Sequence, residues 1–480
     1  MTGIWTADQV RAAENEVFKR TPEGALMRRA AFGLATHTLA LLTELTGGVA
    51  GRRVTLLVGA GNNGGDALWA GYFLRRRGVR VDAVLLSPDR AHPEGLAALR
   101  RAGGRIADDH VAAVQHADLV VDGIVGLSAR GPLRPAAAAL VEQVRAPIVA
   151  VDLPSGVDPD TGVVDGPAVH AAVTVTFGCL KPVHVLGAHH CGTTHLVDIG
   201  IGADLGEPAM TVLSDAEVGA RWPVPGPGDD KYTQGVTGVA AGSAVYPGAA
   251  VLAAGSAIRA TSGMVRYAGE AAEDVRARWP EVVATGSVTD AGRVQSWVVG
   301  PGLGTGKAGA DVLRQVLAAG VPVCADADAI TLLAADETLW DERDPDTPLV
   351  LTPHDREFAR FAGEVGADRV DAARRAAKRV NAVVLLKGNS TVVAAPDGRV
   401  LVNPARSSWL ATAGSGDVLS GLIGALLAAG LDPLLAAGCA VRVHELAGGF
   451  AARNAPTSAS VLVDVLPRAI REVRASAGVA

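Results

Sequence analysis

"RVTLLVGAGNNGGDALWAGYFL", residues 53–74, runs from an apolar stretch through a glycine cluster into helical spacing. A strand, a tight turn and a helix in that order form the repeating step of α/β folds. A glycine cluster at such a junction usually cradles a phosphate on the first free amides of the helix. This one has no Lys-Ser/Thr pair to make a Walker loop, and its glycines miss the G-x-G-x-x-G spacing. Two asparagines and an aspartate stand there instead, which raises the question of what the loop holds.

Working outward, the first half alternates short Val/Leu/Ile runs with helical patterns. "RVTLLVG", "VRVDAVLL", "ADLVVDGIVG", "APIVAVDLPSG" and "AAVTVTFG" read as strands, with helices near 64–77, 93–102 and 135–144. Continuous apolar strands separated by helices predict a parallel sheet covered on both faces. Right-handed crossovers then make it doubly wound. "RWPVPGPGDDKYTQ" (221–234), rich in proline and glycine, reads as an interdomain linker. Beyond it the alternation resumes with "GVTGVAAG", "SWVVGPGLG", "VPVCADADAI", "PLVLTPH", "AVVLLKG" and "STVVAA" as strands. "GSGDVLSGLIGALLAAG" and "LLAAGCAVRVHELAGGFAARN" read as helices. The fold class is therefore α/β, with two doubly wound domains that are each three-layer sandwiches. The divisions are drawn at 1–212, a linker at 213–231, and 232–480.

The 480 residues exceed one core, and 49% apolar with 20% charged residues suits a soluble globular protein. A formal net charge of −6 gives no broad pull toward nucleic acid or an anionic membrane, and neither is expected as a partner. The basic runs "RRRGVR" (75–80) and "RRAAKR" (374–379) read as solvated helix faces. Cys179, Cys191, Cys324 and Cys439 are scattered, so neither zinc nor a disulfide framework is expected, and a reducing cytoplasm is the natural setting. The N-terminus lacks a signal peptide's apolar core. The apolar stretch 418–441 is broken by Asp432-Pro433 and reads as two buried helices.

The clearest chemistry lies at "ATAGSGDVLSGLIGALLA" (411–428), where Ala413 to Asp417 open a helix. Free amides and the helix dipole make an anion site there. An aspartate beside a phosphate is costly unless it has a task, and the obvious one is general base on an attacking hydroxyl. The plain alternative is a helix capped by Ser415 or Asp417. The string resembles the signature of ribokinase-like enzymes. With "KYTQGVTGVAAGSAVYPGAAVLAAGSAIRA" (231–260), "VVGPGLG" (298–304), "DADAI" (326–330), "LTPHDREFARF" (351–361), "LLKGNSTVV" (385–393) and "NPARSSWLATAGSGDVLSG" (403–421), the half-chain resembles the ADP/ATP-dependent NAD(P)HX dehydratases. That resemblance implies a catalytic Asp417, with Gly416 on the AMP moiety. It also implies Lys387, Gly388, Asn389, Ser390 and Thr391 along the nucleotide, and Ala249, Gly304 and His354 lining the reduced-dinucleotide pocket. Mg²⁺ would accompany ADP or ATP. The chain departs from the family's spelling at Asp355-Arg356, at Trp409 and at "YPGAA".

A dehydratase of this kind acts on one C6 epimer of hydrated NAD(P)H. The first half resembles the partner that interconverts them, the NAD(P)HX epimerase, through "GAGNNGGDALWAGYFL" (59–74), "VVDGIVGLSARGPL" (120–133), "VDLPSGVDPDTG" (151–162), "VTFGCLKP" (175–182) and "VDIGI" (197–201). The resemblance makes Asn62, Asn63, Gly64, Gly65 and Asp66 a dinucleotide-binding segment, with the two glycine amides toward phosphate. It has Gly126, Leu127, Ser128, Ala129, Arg130, Gly131 and Pro132 closing over the pyrophosphate. Asn63, Asp122 and Ser155 would help to hold K⁺, and hard oxygen ligands suit such a cation. Asp152, ending its strand beside the nicotinamide, is the proton-transfer candidate. Arg28, where an acidic neighbour is expected, and Ala67 depart from the family.

The implied whole is a bifunctional repair enzyme acting on NADHX and NADPHX, expected to be a homo-oligomer. Two other readings stay open: a ribokinase-like kinase of a small alcohol, and a first half that is a non-catalytic nucleotide-binding module. The charged pocket of Asn63, Asp122, Asp152 and Ser155 argues against a pure scaffold.

Overall fold

A computed structural model describes residues 1–261, 263–404 and 407–479. The chain divides into two units, Gly3–Ala209 and Met210–Ala480, with Met1–Thr2 counted in the latter.

The strands of the first unit are β1 (Arg53–Val58), β2 (Arg80–Leu85), β3 (Arg105–Ile106), β4 (Leu119–Gly123), β5 (Ile148–Val151), β6 (Val173–Phe177) and β7 (Thr193–Val197); all but β3 and β7 are the apolar runs quoted above. They lie in the order β3-β2-β1-β4-β5-β6-β7, and every pairing is parallel. The helices include α1 (Ala7–Phe18), α2 (Ala25–Thr46), α3 (Asn62–Arg75), α4 (Pro93–Arg101) and α5 (Pro135–Val141). One apolar cluster joins α2 and α3 to one sheet face, and another joins α5 to the opposite face. The strand order reverses between β1 and β4, and that switch point opens a crevice at their carboxyl ends. The glycine loop turns there because it must: a Cβ on Gly59 would sit 1.8 Å from the Ile124 carbonyl oxygen, and one on Gly64 2.3 Å from that of Gly59.

The second unit contains β8 (Met210–Val212), β9 (Val236–Ala240), β10 (Met264–Ala268), β11 (Val283–Thr285), β12 (Ser296–Val299), β13 (Val323–Ala325), β14 (Leu349–Leu351), β15 (Val383–Leu386), β16 (Ser390–Ala394) and β17 (Val400–Pro404). They lie in the order β8-β17-β16-β15-β14-β13-β12-β9-β10-β11. From β11 to β15 the pairings are parallel, whereas β15-β16 and β16-β17 are antiparallel. The hairpin follows from its turn: "APDGRV" places Gly398 at φ 93°, a conformation glycine supplies freely. The helices include α6 (Asp215–Arg221), α7 (Pro247–Ala260), α8 (Asp355–Ala362), α9 (Ser415–Ala428), α10 (Pro433–Ala452) and α11 (Ala459–Ser476).

Helix α9 is buried on almost every side from Val418 to Ala428. Its glycines let α7 and the sheet approach closely. A Cβ on Gly421 would lie 2.2 Å from the Ala253 carbonyl oxygen, and one on Gly424 2.2 Å from Val298 Cγ2. Helix α10 is long and apolar enough to cross a membrane, but 72% of its span is buried inside the protein. The stretch drawn as a linker at 213–231 is only partly one. Ser214 and Glu217 form a capping box that starts α6, and Trp222 is 4% exposed in the core. The irregular chain lies after it, up to β9.

Candidate functional sites in the two units

In the second unit Gly414 takes φ 84° and opens α9, with Asp417 in the first turn. Ser415 spends its amide on the Thr412 carbonyl at 3.3 Å, so not all four amides of 413–416 are free. Under the helix mouth lies an ion pair. Lys387 Nζ, at the end of β15, is 2.9 Å from Asp326 Oδ1, at the end of β13. Ser420 donates to Asp326 Oδ2 at 2.7 Å, and Glu357 lies 3.9 Å from the same ammonium. Burial pushes the Asp326 carboxyl up, but Lys387 and these hydrogen bonds outweigh it and hold it below the usual range. Among the described residues Asp417 has no such partner. Burial, reinforced by the Asp326 charge and only partly offset by Lys387, raises its pKa to about 7. The buried His444 donates from Nε2 to the Ser415 carbonyl at 2.9 Å, steadying the first turn, and burial lowers its pKa to about 4.

A cavity of about 700 Å³ opens beside this pair. Of the expected nucleotide segment it gathers Lys387, Gly388, Asn389, Thr391 and Gly416, together with His354. Ser390 is buried beside them and does not line it, because side chains alternate along a strand. Ala249 and Gly304 are not among the residues that line it. His354 sits at the end of β14, next to β15. Ala249 belongs with the "GPGLG" turn, where a Cβ on Gly302 would be 3.0 Å from its own Cβ. Asp417 is likewise outside the cavity's lining, its Oδ2 3.8 Å from where a Cβ on Gly414 would lie. His354 also caps α8, accepting from the amides of Arg356 and Glu357. The Asp355 departure has a partner: it pairs with Arg369 at 2.9 Å, and Arg369 donates to the Lys387 carbonyl at 2.7 Å.

In the first unit Asp152 follows β5 at φ 67°, a strained conformation for a side-chain-bearing residue. Its carboxylate takes three bonds, all at Oδ1: from Lys181 Nζ at 2.5 Å, Thr176 Oγ1 at 2.9 Å and the Phe177 amide at 3.3 Å. Burial raises its proton affinity, but Lys181 and these donors win and hold the group ionised below its ordinary value. Buried His184 accepts at Nδ1 from the Lys181 amide and donates from Nε2 to the Asp152 carbonyl at 2.8 Å, which locks the bend. Burial and Lys181 lower its pKa to about 4, so it stays neutral. Asp66, in the first turn of α3, is the opposite case. It is 6% exposed, its Oδ1 has no partner among the described residues, and burial with the charges of Asp152 and Glu14 pushes its pKa well up. Glu14 on α1 is raised by burial and by Asp152. Lys181, His184 and Glu14 carry no role in the sequence reading, although Lys181 lies in the quoted "VTFGCLKP".

Asn63, Asp122 and Ser155 are brought together. Ser155 donates to Asp122 through Oγ at 2.7 Å and its amide at 2.8 Å, and receives the Val125 amide at 3.1 Å. Asn63 Nδ2 donates to the carbonyls of Val125 at 3.0 Å and Val151 at 2.6 Å. Asp122 is fully buried, and among the described residues no basic side chain pairs with it; burial raises its proton affinity despite the Ser155 bonds. The Gly65 amide is taken by the Gly61 carbonyl at 3.2 Å, which leaves Asn62 to Gly64 as the open amides of α3. Arg130, within 126–132, is held by Asp160 at 2.7 Å and Asp158 at 3.3 Å, which braces that segment rather than freeing its charge.

Known proteins share both units. Residues 237–471 match the family described as NAD(P)H-hydrate dehydratase, and residues 23–183 match YjeF-related protein N-terminus. The bifunctional NAD(P)H-hydrate repair enzyme of Mycobacterium leprae is 56% identical over 479 residues, covering 98% of this chain and 99% of its own. The chain belongs to the bifunctional NAD(P)H-hydrate repair enzymes. Its Mycobacterium tuberculosis relative of the same description is 59% identical over 435 residues, 90% of each chain. Among solved structures, the ADP/ATP-dependent NAD(P)H-hydrate dehydratase of Bacillus subtilis, co-crystallised with ATP and Mg²⁺, is 29% identical with a TM-score of 0.50, covering 55% of this chain and 99% of its own. That overlap matches the length of the second unit, so this repair enzyme carries the dehydratase fold with a further unit before it.

Proposed function

We propose that this chain repairs hydrated NAD(P)H in two reactions, one in each unit. The first unit interconverts the C6 epimers of NADHX and NADPHX. The second phosphorylates the C6 hydroxyl of the S epimer from ADP or ATP, releasing AMP or ADP; phosphate then departs from C6 as a proton leaves C5, which restores the dihydropyridine. The observation that carries this reading is Asp417: a carboxylate with no counter-ion of its own among the described residues, poised near neutrality at the mouth of α9. It accepts the hydroxyl proton as oxygen attacks the terminal phosphorus. Lys387 and the open amides of α9 balance the charge on the transferring group. Mg²⁺ supplies charge neutralisation of the phosphates. Among the described residues no group of three His, Cys, Asp or Glu could cage it, so nucleotide oxygens would hold it.

Epimerisation at a carbon bearing both hydroxyl and ring nitrogen needs a proton delivered to the departing oxygen. It also needs one removed from the water that returns on the other face. Two carboxyl groups held in opposite protonation states suit that exchange. Asp66 is the neutral acid, and Asp152, with Oδ2 outside its hydrogen bonds, is the base. K⁺ fits beside Asp122, whose buried carboxylate has only uncharged partners among the described residues; Asn63 and Ser155 add the hard oxygens. The four cysteines, all free and buried, are in keeping with a cytoplasmic setting. A homo-oligomer completes the reading.

The test uses mixed epimers of NADHX with Mg²⁺ and either ADP or ATP. All the NADH absorbance should return. A plateau at the S fraction, under conditions of slow spontaneous epimerisation, removes the first-unit assignment.

A further inference from the structure

The amino edge of the first sheet holds a second polar cavity, of about 390 Å³, far along the strands from Asp122 and Asp152 at their carboxyl ends. Its lining includes Arg53, Arg75, Arg80 and Arg105, with a single carboxylate, Asp82. The register puts them on one face. Arg53 stands opposite Arg80 across β1 and β2, and Asp82 opposite Arg105 across β2 and β3. Residues 80 and 82 share a face by alternation. Arg75 comes in from the end of α3 and is pinned, donating from Nη1 to the Val79 carbonyl at 2.8 Å and from Nε to that of Ala102 at 3.2 Å. Gly103, at φ 82°, lies close to its Nη2: a Cβ there would be 3.1 Å away.

Among the described residues none of the four guanidiniums forms an ion pair, although the chain as a whole is acidic. Four like charges around one hollow repel one another, and folding gains nothing from gathering them. A ligand of opposite sign would. Guanidinium forks match phosphate oxygens in pairs, and Asp82 disfavours a ligand with too little charge to outweigh it. "RRRGVR" is thus more than a solvated helix face: Arg75 and Arg80 from that run turn into the cavity.

The geometry points to a binding site for a multivalent phosphate of the pyrophosphate class at this edge, at the opposite end of the strands from the first unit's reaction centre. The ligand is either free pyrophosphate or the diphosphate of a nucleotide.

The full chain would be titrated calorimetrically with pyrophosphate and with orthophosphate at about 0.15 M salt, where exposed charges are screened beyond about 8 Å. Wild type should bind pyrophosphate at least about tenfold more tightly than orthophosphate. R80S/R105S, which replaces two exposed residues outside both centres, should lose that component and keep repair turnover at saturating substrate. Melting temperature should rise with pyrophosphate in wild type and not in the variant. Competition by ADP for the arginine-dependent component assigns a nucleotide as ligand; its absence assigns free pyrophosphate. Identical pyrophosphate isotherms for wild type and R80S/R105S, or equal binding of the two anions, overturn the site.

Discussion

The two units reach the same electrostatic arrangement from unrelated sheets. In the first, Asp152 is neutralised by Lys181 while Asp66, in the first turn of α3, is pushed toward its protonated form. In the second, Asp326 is neutralised by Lys387 while Asp417, in the first turn of α9, is raised to about 7. The difference lies in access. The Lys181 side chain is 1% exposed, whereas that of Lys387 is 24% exposed and faces the large cavity. A buried lysine can only hold its aspartate. A half-open one can also meet an incoming phosphate. The paired aspartate is the proposed reacting group in the first unit and the supporting one in the second.

Substitutions test that inversion. Asp417→Asn should cut dehydration of S-NADHX by about 10⁴-fold, near the upper end for loss of a general base. NADH absorbance reads this, while epimer ratios followed by chromatography should stay unchanged. Lys181→Met should destabilise the first unit by about 3–5 kcal/mol, since it strands the Asp152 charge in a closed pocket. Lys387→Met should cost clearly less in the second unit, because the lysine is itself 24% exposed and its loss lets cavity water take its place beside the buried Asp326. Equal losses in denaturant melts would break the contrast in access. Asp152→Asn should slow epimerisation by about 10²–10³-fold with dehydration of pure S epimer intact. A pH series gives the smallest effect. Dehydration should fall about tenfold per unit below pH 7 as Asp417 gains its proton. The linkage runs the other way for stability. A folded-state pKa above the unfolded value favours folding at acid pH, and this contribution is lost as pH rises through about 7. Asp417→Asn should therefore melt later than wild type at pH 8, an advantage that shrinks at pH 5.

Much of this was legible in the chain. Apolar runs such as "VTLLV" and "VVDGIV" marked buried parallel strands because both faces are covered. The glycine clusters at 59–65 and 414–416 marked helix mouths because Gly59 and Gly64 stand where a Cβ would meet backbone and Gly414 takes a positive φ. The pairings were not legible. Asp326 and Lys387 lie 61 residues apart and Asp152 and Lys181 lie 29 apart, and strand order alone makes them neighbours. Lys181 was visible as a residue but not as a partner. The hairpin of β16 and β17 had a signal in Pro396-Asp397-Gly398, and α6 had one in Ser214 and Glu217, yet proline-rich chain nearby obscured the second. Asp355 was visible only as a departure, because its partner Arg369 belongs to a helix with no motif of its own.

Helix α9 is at once the middle of the second unit's core and the bearer of its reactive carboxylate. Scaffold and reagent are one object, and its contacts on Gly421 and Gly424 leave no slack for it to rock. Heat or urea cannot loosen the catalytic end and spare the rest. Inactivation and loss of structure in that unit should then trace a single curve, and whatever opening turnover requires must be supplied by the surrounding loops.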